Sequence, residues 1–115
     1  MESIKGLKRT NYCGTLTLND EGKEVILFGW AQRQRDLGNL IFIDLRDRTG
    51  IVQLSFSDKT DRDIFAKAQS VRSEYVLAVK GTVCERESKN PDLPTGEIEV
   101  AVSELRIVSK AQTPP

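Results

Sequence analysis

The residues of this chain best suited to chemistry lie in the run GWAQRQRDLGNLIFIDLRDRTGIVQLSF, Gly29–Phe56. Within Leu40–Arg46, Ile41, Ile43 and Leu45 alternate with Leu40, Phe42, Asp44 and Arg46. Strand side chains alternate between faces, so the first set makes a core face and the second an outer one. An aromatic beside a carboxylate and a guanidinium on an outer face suits stacking against a planar ligand such as a nucleic-acid base. On the next run, Ile51–Ser57, Val52, Leu54 and Phe56 point inward and Gln53 outward. Its amide both donates and accepts, as reading a base edge requires. A short hairpin between the runs makes Phe42 and Gln53 near neighbours.

Arg33 and Arg35 are two apart at the end of the preceding run and share a face. Arginine grips phosphate with a forked geometry or stacks on a base. Glu99 points outward from the last run, where a carboxylate opposes phosphates but accepts from a base edge. Each residue also has a plainer reading. Phe42 would fill a gap between strand and helix, Gln53 and Glu99 would be solvated, and the arginines would pair with Asp36, Asp44 and Asp47.

The elements that must position these residues follow from periodicity. Residues 1–23 read as a loose lead-in, with Tyr12 as an anchor and a turn at Asn19–Gly22. Strand pattern begins at Glu24, and Val25, Leu27, Gly29, Ala31, Arg33 and Arg35 share one face unless a bulge intervenes. Gly29 marks a bend or bulge, and Trp30 reads as core. Gly38-Asn39 turns the chain into Leu40–Arg46, and Asp47–Gly50 turns it into Ile51–Ser57. Over Asp58–Ser73 the spacing of Ile64, Phe65, Ala68 and Val71 predicts a helix, capped by Asp58 or Thr60. A fourth strand over Glu74–Glu87 and a fifth over Glu97–Ser109 flank the polar loop Ser88–Gly96. Residues 24–109 therefore form one domain, and 110–115 read as a linker. Three strands, one helix and two strands is the order of a mainly β, five-stranded Greek-key barrel of the OB type, with its helix between strands three and four. Such barrels bind oligonucleotides on the face of strands two and three, beside the loop between strands four and five. By that analogy Asn90, Arg86 and Lys89 join the site.

Composition narrows the function classes. Lys plus Arg and Asp plus Glu are each 17, for zero net charge. That argues against a nonspecific polyanion binder, whose affinity comes from phosphate neutralisation, so recognition should be local. Two cysteines, Cys13 and Cys84, and no histidine remove His-based triads, and two thiols alone make no zinc site. No carboxylate pair or glycine-rich phosphate loop stands out, so no catalytic or metal residue is assigned. Apolar runs such as Val25–Phe28 are too short to span a bilayer, and the charged N-terminus has no signal-peptide core, so a cytoplasmic protein is expected.

Four segments then carry a family resemblance: RTNYCG at Arg9–Gly14, the run from Gly29, RSEYVLAVKGTV at Arg72–Val83 and PTGEIEV at Pro94–Val100. Together they resemble the N-terminal domain of bacterial aspartyl-tRNA synthetases, from Arg9 to the end of the chain. The resemblance implies an OB barrel that binds the aspartate tRNA anticodon, GUC or its queuosine form. It implies that Phe42 stacks on the central uracil, that Gln53 bonds that base, and that Arg35 lies near bases and backbone with Arg33 beside it. It further implies that Glu99 reads the first base and that Asn90 and Arg86 belong to the flanking loop. No cofactor is implied for these residues; ATP, magnesium, a homodimer and aspartate ligation would belong to a longer enzyme whose catalytic domain lies beyond this sequence. The sequence departs from the pattern at Gln34, where relatives often carry arginine, and at Cys84, where arginine is frequent. Leu37 stands where enzymes that also charge the asparagine tRNA can carry histidine, which points to a discriminating enzyme. Other readings stay open: the matching domain of an asparaginyl- or lysyl-tRNA synthetase, a general single-strand-binding module, which would show several groove aromatics, and a protein-interaction barrel.

Overall fold

A computed structural model describes residues 1–110. Five strands form a closed barrel in the order β1-β2-β3-β5-β4. They are β1 (Glu24–Asp36), β2 (Ile41–Asp47), β3 (Gly50–Phe56), β4 (Val76–Glu85) and β5 (Ile98–Ser109), with α1 (Arg62–Ser70) between β3 and β4. Neighbouring strands are antiparallel except β3 and β5, which pair in parallel only through Leu54↔Val100 and Ser55↔Ala101. This is the expected OB architecture.

The alternating apolar sets fill the interior. Leu27, Ile43, Leu45, Leu54, Phe56, Leu77 and Val100 are fully buried. Helix α1 turns Phe65 and Ala68 onto this core, with Val71 just beyond its last residue. It is shorter than its apolar spacing suggests, and its cap is Asp61 rather than Asp58 or Thr60. Ser57 and Thr60 close a turn on each other, which leaves the Asp61 carboxylate to accept from the backbone N–H groups of Asp63 and Ile64. Gln34 donates to the carbonyls of Ala68 and Gln69 in the last helical turn, so this departure from arginine serves the helix end and not the outer face.

Strand β1 is bent. Its first half pairs with β4 and its second with β2, and the register slips between Ala31 and Arg33, leaving Gln32 as an extra residue. The bulge is therefore at Gln32 and not at Gly29. Gly29 answers a different need: a Cβ there would lie 2.3 Å from the carbonyl oxygen of Arg46, so only glycine lets β1 cross β2 this closely. Trp30 is half-buried and outside the core, because it shares the outer side of β1 with Ile26 and Phe28.

The lead-in is not loose. Cys13 and Leu16 are fully buried, whereas Tyr12, the expected anchor, is only half-buried. Asp47 ties this segment down: its carboxylate accepts from Cys13 N–H at 2.7 Å, from Thr49 N–H at 2.8 Å and from the Thr49 hydroxyl. At the far end, Glu2 donates its N–H to the Ile107 carbonyl, while its carboxylate accepts from Ile107 N–H and Lys67. Residues 111–115, most of the expected linker, lie outside the described residues. No helix among the described residues is long and apolar enough to cross a membrane.

Burial works against the Asp47 carboxylate, but its hydrogen bonds from Thr49 and Cys13 outweigh that and hold it below the usual carboxylate range. A carboxyl more acidic folded than unfolded contributes stability above its unfolded pKa and loses it as pH falls through the folded one. Asp47→Asn, which turns an NH2 toward backbone donors, should cost about 1–3 kcal/mol at neutral pH. Chemical denaturation across pH should show this gap begin to narrow below about pH 4, where the unfolded carboxyl takes up its proton, and close only as pH falls through the lower folded pKa.

Candidate nucleic-acid interface

The bulge at Gln32 shifts the alternation of β1 by one residue. Before it, Val25, Leu27 and Ala31 face the core; after it, Gln34 turns toward α1 and Arg33 and Arg35 join the outer face. Register then sets the arrangement on that face. Arg35 lies opposite Phe42, which lies opposite Ser55, which pairs with Ala101. One step along, Arg33 lies opposite Asp44, which lies opposite Gln53, while Glu99 on β5 lies opposite Cys84 on β4. All five strands thus contribute to one surface.

A groove of about 930 Å³ runs over it. Phe42, Gln53, Arg35, Arg33, Glu99, Asn90 and Arg86 line it; Lys89, also expected there, does not, and its ammonium pairs with Glu85. Phe42 is half-buried, with the Arg35 guanidinium 5.1 Å from its ring centroid. It lines the groove and lies outside the fully buried set. Neither Arg33 nor Arg35 forms an ion pair with Asp36, Asp44 or Asp47 among the described residues.

Gln53 is not solvated either; it is 5% exposed. Arg35 Nη2 donates to its Oε1 at 2.9 Å, and its Nε2 donates to Glu99 Oε1 at 3.0 Å. A cation on one side and an anion on the other fix which way the amide points. The reverse orientation would set NH2 against guanidinium and carbonyl against carboxylate. Each end keeps a free lone pair or N–H for a ligand.

Arg86 is buried beside this network, its Nε donating to the Ile98 carbonyl. Burial pulls its guanidinium below the ordinary arginine value, while Glu99 and Asp44 pull the other way. The loop after β4 folds back through Asn90 N–H to the Gly96 carbonyl. A Cβ on Gly96 would overlap the Asn90 carbonyl, at 1.7 Å, so glycine keeps Asn90 at the groove edge.

Sequence reasoning did not assign Ser55, Leu93, Asp44 or Lys59 to the groove, which they also line. Asp44 and Ser55 were legible as outward positions next to Phe42 and Gln53. Leu93 and Lys59 lie in loops, where alternation carries no signal.

Cys84 lines the groove and is half-buried, whereas Cys13 is sealed in the core. Burial, then the Glu99 charge, pushes the Cys84 thiol up. Alkylation of native protein read by mass spectrometry should therefore label Cys84 and spare Cys13. Glu99→Gln should speed the Cys84 reaction at fixed mildly alkaline pH by removing the neighbouring charge.

Residues 25–108 match the family model described as an OB-fold nucleic acid binding domain. The chain is 56% identical to an aspartate–tRNA(Asp/Asn) ligase of Caldanaerobacter subterraneus, over 99% of this chain and 20% of that protein. It is 49% identical to an aspartate–tRNA ligase of Clostridium acetobutylicum, over 99% of this chain and 19% of that one. The chain thus spans about a fifth of the length of these relatives. Among solved structures it resembles asparaginyl-tRNA synthetase from Pyrococcus horikoshii, with a TM-score of 0.77 and 30% identity over 91% of this chain and 24% of that one.

Proposed function

Because the chain belongs to the family of OB-fold nucleic acid binding domains, we propose that it binds the anticodon of a transfer RNA as the N-terminal domain of an aspartate–tRNA ligase. The observation that carries this reading is the fixed amide of Gln53 beside the open ring of Phe42. The Phe42 ring takes the face of the central anticodon base. Gln53 reads its edge: Oε1 accepts from uracil N3–H and Nε2 donates to a uracil carbonyl. Cytosine reverses that donor and acceptor order, and pairing with it would require the amide flip that Arg35 and Glu99 oppose. The free Glu99 oxygen accepts from the exocyclic amine of a first-position guanine. Arg33, Arg86 and Asn90 meet the backbone around these bases. The partner is the aspartate tRNA, with GUC or its queuosine form.

In the longer ligase, this domain would be joined to a catalytic domain that attaches aspartate to the tRNA, in a cytoplasmic homodimer. ATP and magnesium chemistry belongs to that domain.

The direct test is titration with an anticodon stem-loop bearing GUC against the same hairpin with its central U changed to C. Tighter binding of GUC is expected; equal binding would reduce the domain to a general single-strand binder. A GUU hairpin separates this reading from the matching asparaginyl domain. Phe42→Ala should fold normally and weaken GUC binding by about 1–3 kcal/mol; a collapsed melting transition would instead make Phe42 a core residue. Gln53→Ala should erase most of the preference for central U with a smaller loss of affinity. Retained discrimination would remove Gln53 from base reading.

A further inference from the structure

The motif at Arg9–Gly14 has a use beyond the barrel core. Its Thr10, Cys13 and Gly14 are structural: Thr10 bonds the backbone of Ile26, Cys13 N–H reaches Asp47, and Gly14 N–H reaches the Thr49 hydroxyl. Its other two large polar residues face outward. The Arg9 guanidinium stands 4.5 Å from the Tyr12 ring centroid and 5.6 Å from that of Phe28. The Arg48 guanidinium stands 5.1 Å from the same Tyr12 ring and donates to its hydroxyl at 3.2 Å. These distances fall in the cation–π range.

Two guanidinium groups are therefore held on one tyrosine ring, and both arginines are exposed. Among the described residues neither pairs with a carboxylate. Asp47, the carboxylate nearest in sequence, is buried and committed to Cys13 and Thr49. Cations gathered this way repel each other until an anion joins them. The outer row of β2 links this cluster to the groove. It runs Phe42, Asp44, Arg46 and on to Arg48 in the following turn. At about 3.4 Å per residue, Arg46 lies about 14 Å from Phe42 along the strand. Arg46 itself is held by Gln32, the bulge residue, and among the described residues pairs with no carboxylate. Asp44 in the same row sits opposite Arg33 and within electrostatic reach of Arg86.

We propose that Arg9 and Arg48, clamped on Tyr12, form a phosphate subsite for the RNA backbone flanking the bases held in the groove. The assignment rests on the nucleic-acid reading above. It adds a contact remote from the bases, one that sets affinity without reading sequence. The planar forks suit phosphodiester oxygens, and the tyrosine orders them before the ligand arrives.

The test compares the unaltered chain, an Arg9→Gln/Arg48→Gln variant and an Arg9→Lys/Arg48→Lys variant on the GUC hairpin across a salt series, with thermal melts to establish folding. The glutamine variant should melt normally and keep its preference for central U over C. It should bind about tenfold more weakly at moderate salt, with a shallower log–log salt slope by about two. The lysine variant should keep most of the slope. Unchanged affinity and slope in a folded glutamine variant would overturn the subsite while leaving base reading intact. So would a lysine variant that loses affinity as fully as the glutamine one, since that marks a packing role. Failure of the unaltered chain to bind any hairpin would overturn the nucleic-acid reading and the subsite with it.

Discussion

The site depends on one extra residue in one strand. Alternation is the strictest rule a strand obeys, and every side chain after a one-residue insertion changes face. Without Gln32 as a bulge, Arg33 and Arg35 would follow Val25, Leu27 and Ala31 into the barrel, and Gln34 would face solvent. Two guanidinium groups among buried aliphatics would be ruinous. With the bulge, the same sequence closes α1 through Gln34 and sets Arg35 against Phe42 and Gln53. The bend also marks where β1 exchanges β4 for β2 as its partner, with Ala31 still bonded to the segment entering β4. Barrel closure and groove chemistry thus come from the same local irregularity.

The groove is prepared for neutral, shaped ligands more than for raw charge. Its arginines are matched by Glu99 and Asp44, in keeping with zero net charge over the whole chain. What these charges supply is orientation. A buried amide between a cation and an anion has one stable rotamer, and an oriented dipole in a partly desolvated site discriminates by leaving the wrong partner unpaired. The cost of holding Gln53 this way is met on folding, before any ligand arrives.

Much of this was legible in the residues. The alternation in Leu40–Phe56 gave the hairpin, its core face and the neighbouring pair Phe42 and Gln53, because both strands are regular and one-sided. The order of elements gave the barrel. What escaped were features that depend on contacts distant in sequence. The placement of the bulge follows from crowding between Gly29 and Arg46 and from the handover to β4, neither visible in β1 alone. The anchoring of the first residues by Asp47 and Ile107 joins positions far apart in the chain. Asp61 displaced two equally plausible caps because Ser57 and Thr60 were engaged with each other. Trp30 misled because size and apolarity suggest a core, whereas parity along the strand decides the face.

The strap from Glu2 to Ile107 has a kinetic consequence. It joins residues 105 positions apart, and the parallel seam between β3 and β5 is only two pairs long. Loop closure over such separations is slow, and a chain rich in distant pairings folds late relative to its local elements. During synthesis from the N-terminus, the β1–β2–β3 meander would be complete while its open edge still waited for β5 to leave the ribosome. Until then Glu2 has no strand to clasp, and the barrel is an open sheet with its apolar interior uncovered. The final strand acts as a latch, so the groove, which needs Glu99 from that strand, exists only once the latch has shut.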